Sequence, residues 1–251
     1  MSRLKSNQEW LSEILPEGLN YPSSTIISGE GGTGKPLIGF GIVDDWLKAG
    51  GNVIFVPLQY PKTDFVRESL KKLHDLDAED YEDSLFYVKF DLDVDNWKRT
   101  DGNRLNANLL KPETWDGIIE EGKNYFGDKG EPGTLVFASA LNLLLFSPTY
   151  KQPSLDKLKE ILGGNKRNSH LVTVNTSAFR EDIRTWEEAA DTLVFSRMEE
   201  DMRLMLELNR LDGEQISPRE VEVPIKKETL KGIKEVAEGV RNKKIPKIKE
   251  I

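Results

Sequence analysis

The hydrophobic residues of this chain fall into short continuous runs that alternate with longer segments of helical spacing. Apolar, β-branched runs of four to seven residues are typical of strands buried on both faces. They predict strands at 24–28, 52–58, 85–90, 134–137, 171–174 and 192–195. Segments with apolar residues three and four positions apart are typical of helices. They predict helices at 7–15, 36–49, 63–74, 114–124, 154–162 and 227–241.

The order of these elements predicts the class of fold. Short buried strands that alternate with helices predict an α/β fold: a central, mostly parallel sheet with helices on both faces. Two further runs, 203–208 and 220–223, have no helix between them and predict a short antiparallel extension. Residues 91–111 are polar and rich in turn residues, so we expect an irregular insertion there.

Composition narrows the chemistry that this fold could carry. The 251 residues include no Cys and two His, which excludes disulfides and thiolate ligands and disfavours zinc sites and His-based triads. No apolar run approaches the roughly 18 residues that a membrane helix needs, and the first residues carry no hydrophobic signal core. We therefore expect a cytoplasmic protein that does not associate with membranes.

Charge is distributed unevenly along the chain. Residues 226–251 contain nine Lys or Arg and four Glu, a net charge of +5, whereas the whole chain carries −8. We expect an acidic body at 1–225, which disfavours general nucleic-acid binding, and a basic helical tail at 226–251. The tail has three interpretations. It lies on the acidic body of its own or a neighbouring subunit, it binds an acidic partner or nucleic acid, or it is a solvated helix.

A glycine-rich segment connects the strand at 24–28 to the helix at 36–49. It matches the phosphate-loop pattern G-x-x-x-x-G-K up to the last position of that pattern. Its residues are Gly29, Glu30, Gly31, Gly32, Thr33, Gly34, Lys35 and Pro36. Glycines let the backbone wrap tightly, so that N–H groups and the helix N-terminus converge on phosphate oxygens, and Lys35 would reach the terminal phosphates. The segment therefore predicts a nucleotide-binding site.

The eighth position of this pattern is Pro36, where Ser or Thr would hold Mg²⁺ with its hydroxyl. Proline lacks both the hydroxyl and the backbone N–H, so one contact to metal and one to phosphate are lost. The residue still suits a first helical turn. The sequence thus predicts an intact loop whose metal chemistry is weakened.

With this loop, the chain resembles the RecA superfamily of ATPases, and most closely its KaiC-like branch. The resemblance covers roughly 8–225 and rests on segments that occur in the family's order. They are LSEILPEGL at 11–19, STIISG at 24–29, the apolar runs at 53–58 and 135–145, EAADTLVF at 188–195 and RLDG at 210–213. It implies a RecA-like P-loop NTPase fold with a pocket for ATP or ADP at the carboxyl ends of the strands, and assembly into homo-oligomers.

Counting Pro36, four positions depart from the family's catalytic pattern. Gln59 and Tyr60 stand where a Glu would activate water, and Ala138 stands where an Asp would hold Mg²⁺. Phosphoryl transfer depends on positioning and charge stabilisation, so these losses should remove most of the rate. We therefore expect no catalytic residue, no metal ligand and little affinity for Mg²⁺.

Two other regions of the family's site are polar in this chain. Arg210 keeps the first of two cations that the family presents to a neighbouring subunit's nucleotide, but Asp212 replaces the second, which is the fourth departure. Asn175 lies where the family carries a polar sensor of the terminal phosphate. Capping of a strand end is an equally good interpretation of Asn175.

These features lead to one hypothesis and two alternatives. We expect a pseudo-ATPase that binds ATP or ADP, hydrolyses little or nothing, and serves a regulatory or scaffolding role with a protein partner. One alternative is a slow ATPase in which acids such as Asp64 or Glu30 replace those that are missing. The other is a recombinase paralogue that associates with nucleic acid through its basic tail.

Overall fold

The structure of the protein is a computed structural model that describes residues 2–60, 63–127, 130–164 and 167–251. Within these ranges the strands are β1 (Ser2–Leu4), β2 (Leu19–Tyr21), β3 (Ser24–Gly29), β4 (Asn52–Pro57), β5 (Leu85–Phe90), β6 (Trp97–Asp101), β7 (Arg104–Ala107), β8 (Thr134–Ser139), β9 (Ser169–Asn175), β10 (Thr192–Met198), β11 (Leu204–Leu211) and β12 (Glu214–Val223). β1 and β2 form a separate antiparallel pair. The other ten strands form one sheet in the order β12-β11-β10-β3-β9-β8-β4-β5-β7-β6.

Helices cover both faces of the large sheet. They are α1 (Glu9–Ile14), α2 (Lys35–Lys48), α3 (Thr63–His74), α4 (Thr114–Phe126), α5 (Lys151–Gly163), α6 (Arg180–Ala189) and α7 (Lys227–Lys249), with 3₁₀ helices at Glu82–Ser84 and Leu141–Phe146. Side chains of α1, α2 and α3 pack on one face and those of α4, α5 and α6 on the other. The predicted α/β class with a mostly parallel sheet is confirmed.

The parallel part of the sheet is buried on both sides, as its continuous apolar runs predict. Adjacent residues of β3, Ile26 and Ile27, are both buried, and they belong to two different core clusters. Trp186 of α6 packs in the first cluster and Trp46 of α2 in the second. Each fully buried side chain of this size contributes about 1.5–3 kcal/mol to folding. These two cores hold the strand ends in fixed positions relative to one another.

Strand pairing is parallel from β10 through β3, β9, β8, β4 and β5 to β7. The predicted antiparallel extension is confirmed by the β11–β12 hairpin, which pairs with β10. The expectation of an irregular insertion at 91–111 is wrong, because β6 and β7 form an antiparallel hairpin at the other edge. Leu105 and Ala107 alternate inward there, but β7 has only four residues and β6 is exposed along its whole length, so the hairpin gives little hydrophobic signal in the sequence.

Parallel strands end at one edge of a sheet, and here β3, β4, β8 and β9 all end where the glycine loop begins. The final helix returns to this edge. It is longer than the predicted 227–241, because it continues through Pro246 to Lys249. In the described part of the chain no helix is long and apolar enough to span a membrane.

Candidate functional site

The glycine loop joins β3 to α2 in the arrangement that its sequence predicts. Gly34 is the N-cap residue of α2 and has φ +57°, a left-handed conformation that glycine adopts without steric cost. The N–H groups of Leu37 and Ile38 donate to the Gly34 carbonyl at 2.8 and 3.4 Å and start the helix. Pro36 lies in the first turn, where its missing N–H breaks no helical hydrogen bond. The loop therefore presents a helix N-terminus to the sheet edge.

Lys35 is turned into its own loop. Its ammonium donates to the Gly29 carbonyl at 2.9 Å, to the Thr33 hydroxyl at 2.9 Å and also to the Glu30 carbonyl. The side chain is buried, and this burial lowers the pKa of Lys35 to about 7. The positive charge of Arg241 acts in the same direction, whereas Glu30 opposes it. An anion beside Lys35 would relieve this unfavourable burial of a cation.

The loop opens into a small cavity of about 60 Å³. Its walls come from the loop, from the strand ends and from α7. The lining residues are Gly31, Gly32, Thr33, Gly34, Lys35, Pro36, Gln59, Tyr60, Ala140, Asn142, Thr173, Val174, Asn175, Leu230, Glu238 and Arg241. Eight of the positions singled out in the sequence thus meet in one place, together with Asn175. Glu30 precedes this group and contributes its carbonyl to Lys35.

Asn175, at the end of β9, organises one wall of the cavity. Its backbone N–H donates to Oδ1 of Asn142 at 3.0 Å, and its own Oδ1 accepts from the N–H of Ser177 at 2.9 Å. The Ser177 hydroxyl in turn accepts from the N–H of Gly31 at 3.1 Å. Asn175 therefore supports the loop and caps the strand end, which are compatible roles. One loop N–H that could face a phosphate is already paired with Ser177.

The three residues that stand where the family would carry acids lie in or directly after β4 and β8, as predicted. Gln59 and Tyr60 line the cavity directly after β4. Tyr60 is buried against the ring of Phe65, with the ring centroids 4.1 Å apart, and burial raises the pKa of its hydroxyl. Ala138 is buried in β8 between Val56 and Val172 on the neighbouring strands. None of these side chains is a carboxylate that could act as the general base.

Neither of the two positions expected to hold Mg²⁺ offers a side-chain ligand. Pro36 has no hydroxyl, and Ala138 has an apolar side chain in place of a carboxylate. Among the described residues, no cluster of three His, Cys, Asp or Glu side chains could hold a metal ion. The two acids of the slow-ATPase alternative do not line the cavity. Asp64 is exposed on α3 beside Arg67, and Glu30 is exposed as well.

Arg210 lies at the opposite end of the parallel strands from the glycine loop. It pairs with Leu193 near the start of β10, while the glycine loop follows the end of the parallel neighbour β3. Its guanidinium donates to the carbonyls of Glu187 at 2.6 Å and Ala190 at 2.9 Å, which end helix α6. Within one chain Arg210 is therefore separate from the loop. A contact with a neighbouring subunit's nucleotide stays a prediction.

Several cavity residues were not singled out in the sequence. Asn142 and Thr173 gave no motif, although the Asn142 amide is buried and the Thr173 hydroxyl accepts the N–H of Ala140 at 3.2 Å. Glu238 and Arg241 belong to the basic tail, whose target the sequence left open. A buried polar residue in the apolar run at 141–146 was the one local signal for Asn142.

Comparison with known proteins adds no relative to this picture. No protein-family model matches the chain, and no curated protein sequence matches it significantly. The class that the fold and the loop define is an α/β protein with a mostly parallel sheet, compatible with a P-loop NTPase.

Proposed function

We propose that this protein binds an ATP-type nucleotide at the loop formed by Gly29–Pro36 and hydrolyses it slowly or not at all. The observation that carries the proposal is the strand–loop–helix unit in which Gly34 caps α2 and Lys35 points into the loop. Such a loop directs N–H groups, a helix N-terminus and one ammonium toward the same point. Phosphate is the ligand that this arrangement serves best.

The absence of suitable acids supports poor hydrolysis. A metal-assisted transfer to water needs a group that positions the water and groups that hold the metal. The positions expected to supply them carry Gln59, Tyr60, Pro36 and Ala138. We therefore propose a regulatory or scaffolding role, in which binding of ATP or ADP regulates the protein and hydrolysis does not drive it.

We also propose that the protein is related to the RecA-like, KaiC-like ATPases. The order of the segments between 8 and 225 and the location of the loop at the carboxyl edge agree with a RecA-like, KaiC-like protein. Such a relationship favours homo-oligomers and a protein partner. The nucleic-acid alternative is less favoured, because Arg241 and Lys244 of the basic tail face their own chain rather than solvent.

Calorimetric titration with ATP and ADP, with and without Mg²⁺, tests the proposal. We expect binding that changes little when Mg²⁺ is removed, and at least a tenfold loss of affinity in Lys35→Met. The matched control is Lys159→Met, because Lys159 is an exposed lysine on α5. Rapid turnover of ATP by the purified protein would contradict the proposal. So would a lack of nucleotide binding that persists when α7, which lines the cavity, is displaced from it.

A slow ATPase is the second candidate, and one observation favours a modified form of it. Glu238 of α7 lines the cavity and is the one carboxylate among the described residues that line it. It could position a water, whereas Asp64 and Glu30 do not line this cavity. Single-turnover hydrolysis that is measurable in the natural protein and disappears in Glu238→Gln, with nucleotide affinity kept, would establish this candidate.

A further inference from the structure

The C-terminal helix α7 lies across the phosphate loop and is anchored near both of its ends. Leu230 in its first turns is buried against the loop, where its Cδ2 lies 2.8 Å from the position of a Cβ on Gly34. Ile248 near its end is fully buried in the core cluster of α4, α5 and α6. Between these anchors, Val240 is also buried. The helix thus spans the opening of the cavity rather than projecting from the body.

A lysine in the C-terminal part of this helix binds it to the ends of two strands. The Lys244 ammonium donates to the Leu58 carbonyl at 3.0 Å and to the Phe90 carbonyl at 3.4 Å, and it lies 4.6 Å from the centre of the Phe90 ring. Leu58 follows β4 directly and precedes the cavity residues Gln59 and Tyr60, and Phe90 is the last residue of β5. Burial lowers the pKa of Lys244 to about 8. The Lys244 ammonium therefore holds α7 in place through hydrogen bonds, but its desolvation offsets part of their contribution to docking.

The helix itself is built from weak helical sequence. Gly232, Gly239 and Pro246 all lie inside α7. Glycine and proline both disfavour a helix interior, and proline also removes one backbone hydrogen bond. Neither glycine has an atom within 4 Å of its Cβ position, so packing does not require glycine there. Contact with the body, rather than local propensity, therefore maintains this helix.

The docked helix determines what the cavity can contain. Ligand pockets for small organic molecules are usually about 300–1,000 Å³, whereas the space left here is about 60 Å³. That is room for a phosphate group but not for a nucleoside. Arg241 lines the same space, and its buried Nε has no hydrogen-bond partner among the described residues. Arg241 and Lys35 therefore place two cations around a phosphate-sized volume.

We propose that α7 is a built-in cover of the phosphate loop, which admits a phosphate group between Lys35 and Arg241 while docked and must move away before a nucleotide can bind. This inference rests on the proposed nucleotide site and adds its regulation. Nucleotide binding and docking of α7 are then mutually exclusive, so the bound state exposes the surface that α7 covers. Release of α7 is the signal that a partner could detect.

Thiol labelling of the full chain tests the proposal directly, because the natural sequence has no Cys. Ile248→Cys places one thiol in the buried anchor of α7. Leu162→Cys is the matched control, since Leu162 is equally buried in the same core cluster but lies in α5. We expect saturating ATP to accelerate labelling of Ile248→Cys at least fivefold and to leave Leu162→Cys unchanged. Inorganic phosphate at the same concentration should not accelerate either one.

Strengthening α7 gives a second test that leaves the site untouched. Gly232→Ala and Gly239→Ala fill open space and favour the helical state. If the cover opens by losing its helix, each substitution should lower ATP affinity roughly fivefold. Ile248→Ala, which truncates the buried apolar anchor near the end of α7, should raise the affinity. Unchanged affinity in all three variants would overturn the proposal.

The two proposals fail in different ways. If ATP binds with the Lys35 dependence expected but labelling of Ile248→Cys stays constant, the cover is wrong and the nucleotide site stands. Equal acceleration by inorganic phosphate would also overturn the cover, because exclusion of the nucleoside would not be its cause. If neither the natural protein nor Ile248→Ala binds nucleotide, both proposals are wrong.

Discussion

Leu230 of the C-terminal helix packs against Gly34 of the phosphate loop, with its Cδ2 atom 2.8 Å from where a Cβ on Gly34 would lie. The two residues are about two hundred positions apart in sequence, yet each limits what the other can be. A side chain at position 34 and a docked α7 compete for the same space. The contact joins the element expected to hold phosphate to the element expected to respond to it.

Gly34→Ala should therefore destabilise the protein for two separable reasons. A left-handed φ costs a residue with a Cβ about 1–2 kcal/mol, and the contact with Leu230 adds to it. Gly50→Ala is the control, because Gly50 has φ +88° with no atom near its Cβ position. In urea unfolding we expect the larger loss for Gly34→Ala, and Leu230→Ala should reduce the excess. Equal losses at both glycines would contradict the contact.

The buried ammonium of Lys35 predicts how stability changes with pH. Its pKa is lowered from 10.5 to about 7 by burial, so between these values the unfolded chain binds more protons than the folded chain. The free energy of unfolding should rise with pH in this window, by at most about 1.4 kcal/mol per pH unit for this group. Lys244, with a pKa near 8, acts in the same direction.

Urea unfolding at pH 7 and pH 9.5 measures this effect. The rise in Lys35→Met should be smaller than in the natural protein by roughly 2–3 kcal/mol, because the burial of one cation has been removed. Arg241 and Glu238 from α7 and Glu30 from the loop face the same region and remain in the variant. Lys159→Met should keep the full rise. A rise of the same size in all three proteins would show that Lys35 is not buried as a cation.

Arg210 should contribute to stability rather than to ligand binding within one chain. Its guanidinium binds carbonyls at the end of α6, and loss of such charge-assisted hydrogen bonds costs about 1–2 kcal/mol when they are partly exposed. We expect this loss for Arg210→Gln, and little change for Arg219→Gln, whose arginine is exposed on β12. A lower nucleotide affinity in Arg210→Gln would instead support a contact between subunits.

Asn142 should matter because it accepts a buried backbone N–H. Its Oδ1 receives the N–H of Asn175 at 3.0 Å, and an unpaired buried N–H costs about 1–3 kcal/mol. Asn142→Ala should lower the free energy of unfolding by that amount and loosen the wall beside the loop. Asn142→Asp keeps the acceptor, but burial of its charge costs stability at neutral pH, so it should be more stable than Asn142→Ala only in acid, where the carboxyl is neutral. Equal stability of the two variants in acid would argue against this hydrogen bond.

Local signals determined much of this molecule. Runs such as 24–28 and 85–90 read as buried strands because hydrophobic periodicity and β-branching act over a few residues. The loop at 29–35 followed from glycine spacing and Lys35, and the missing acids at Ala138 and Gln59 are visible in the letters themselves. The hairpin β6–β7 was missed because β6 is exposed along its whole length and β7 has only four residues.

Only the tertiary structure decided which surfaces meet. The amphipathic, basic pattern of 226–251 predicts a helix. Its composition does not determine which of several acidic or apolar surfaces that helix covers. Strand pairing is equally nonlocal. The register of β11 on β10 places Arg210 at the end of the strands opposite the loop, while the Asn142 side chain meets the backbone of Asn175. Docking depends on the shape and charge of surfaces assembled from distant parts of the chain. The sequence therefore determined the glycine loop, and the fold determined that the chain's own last helix lies against that loop.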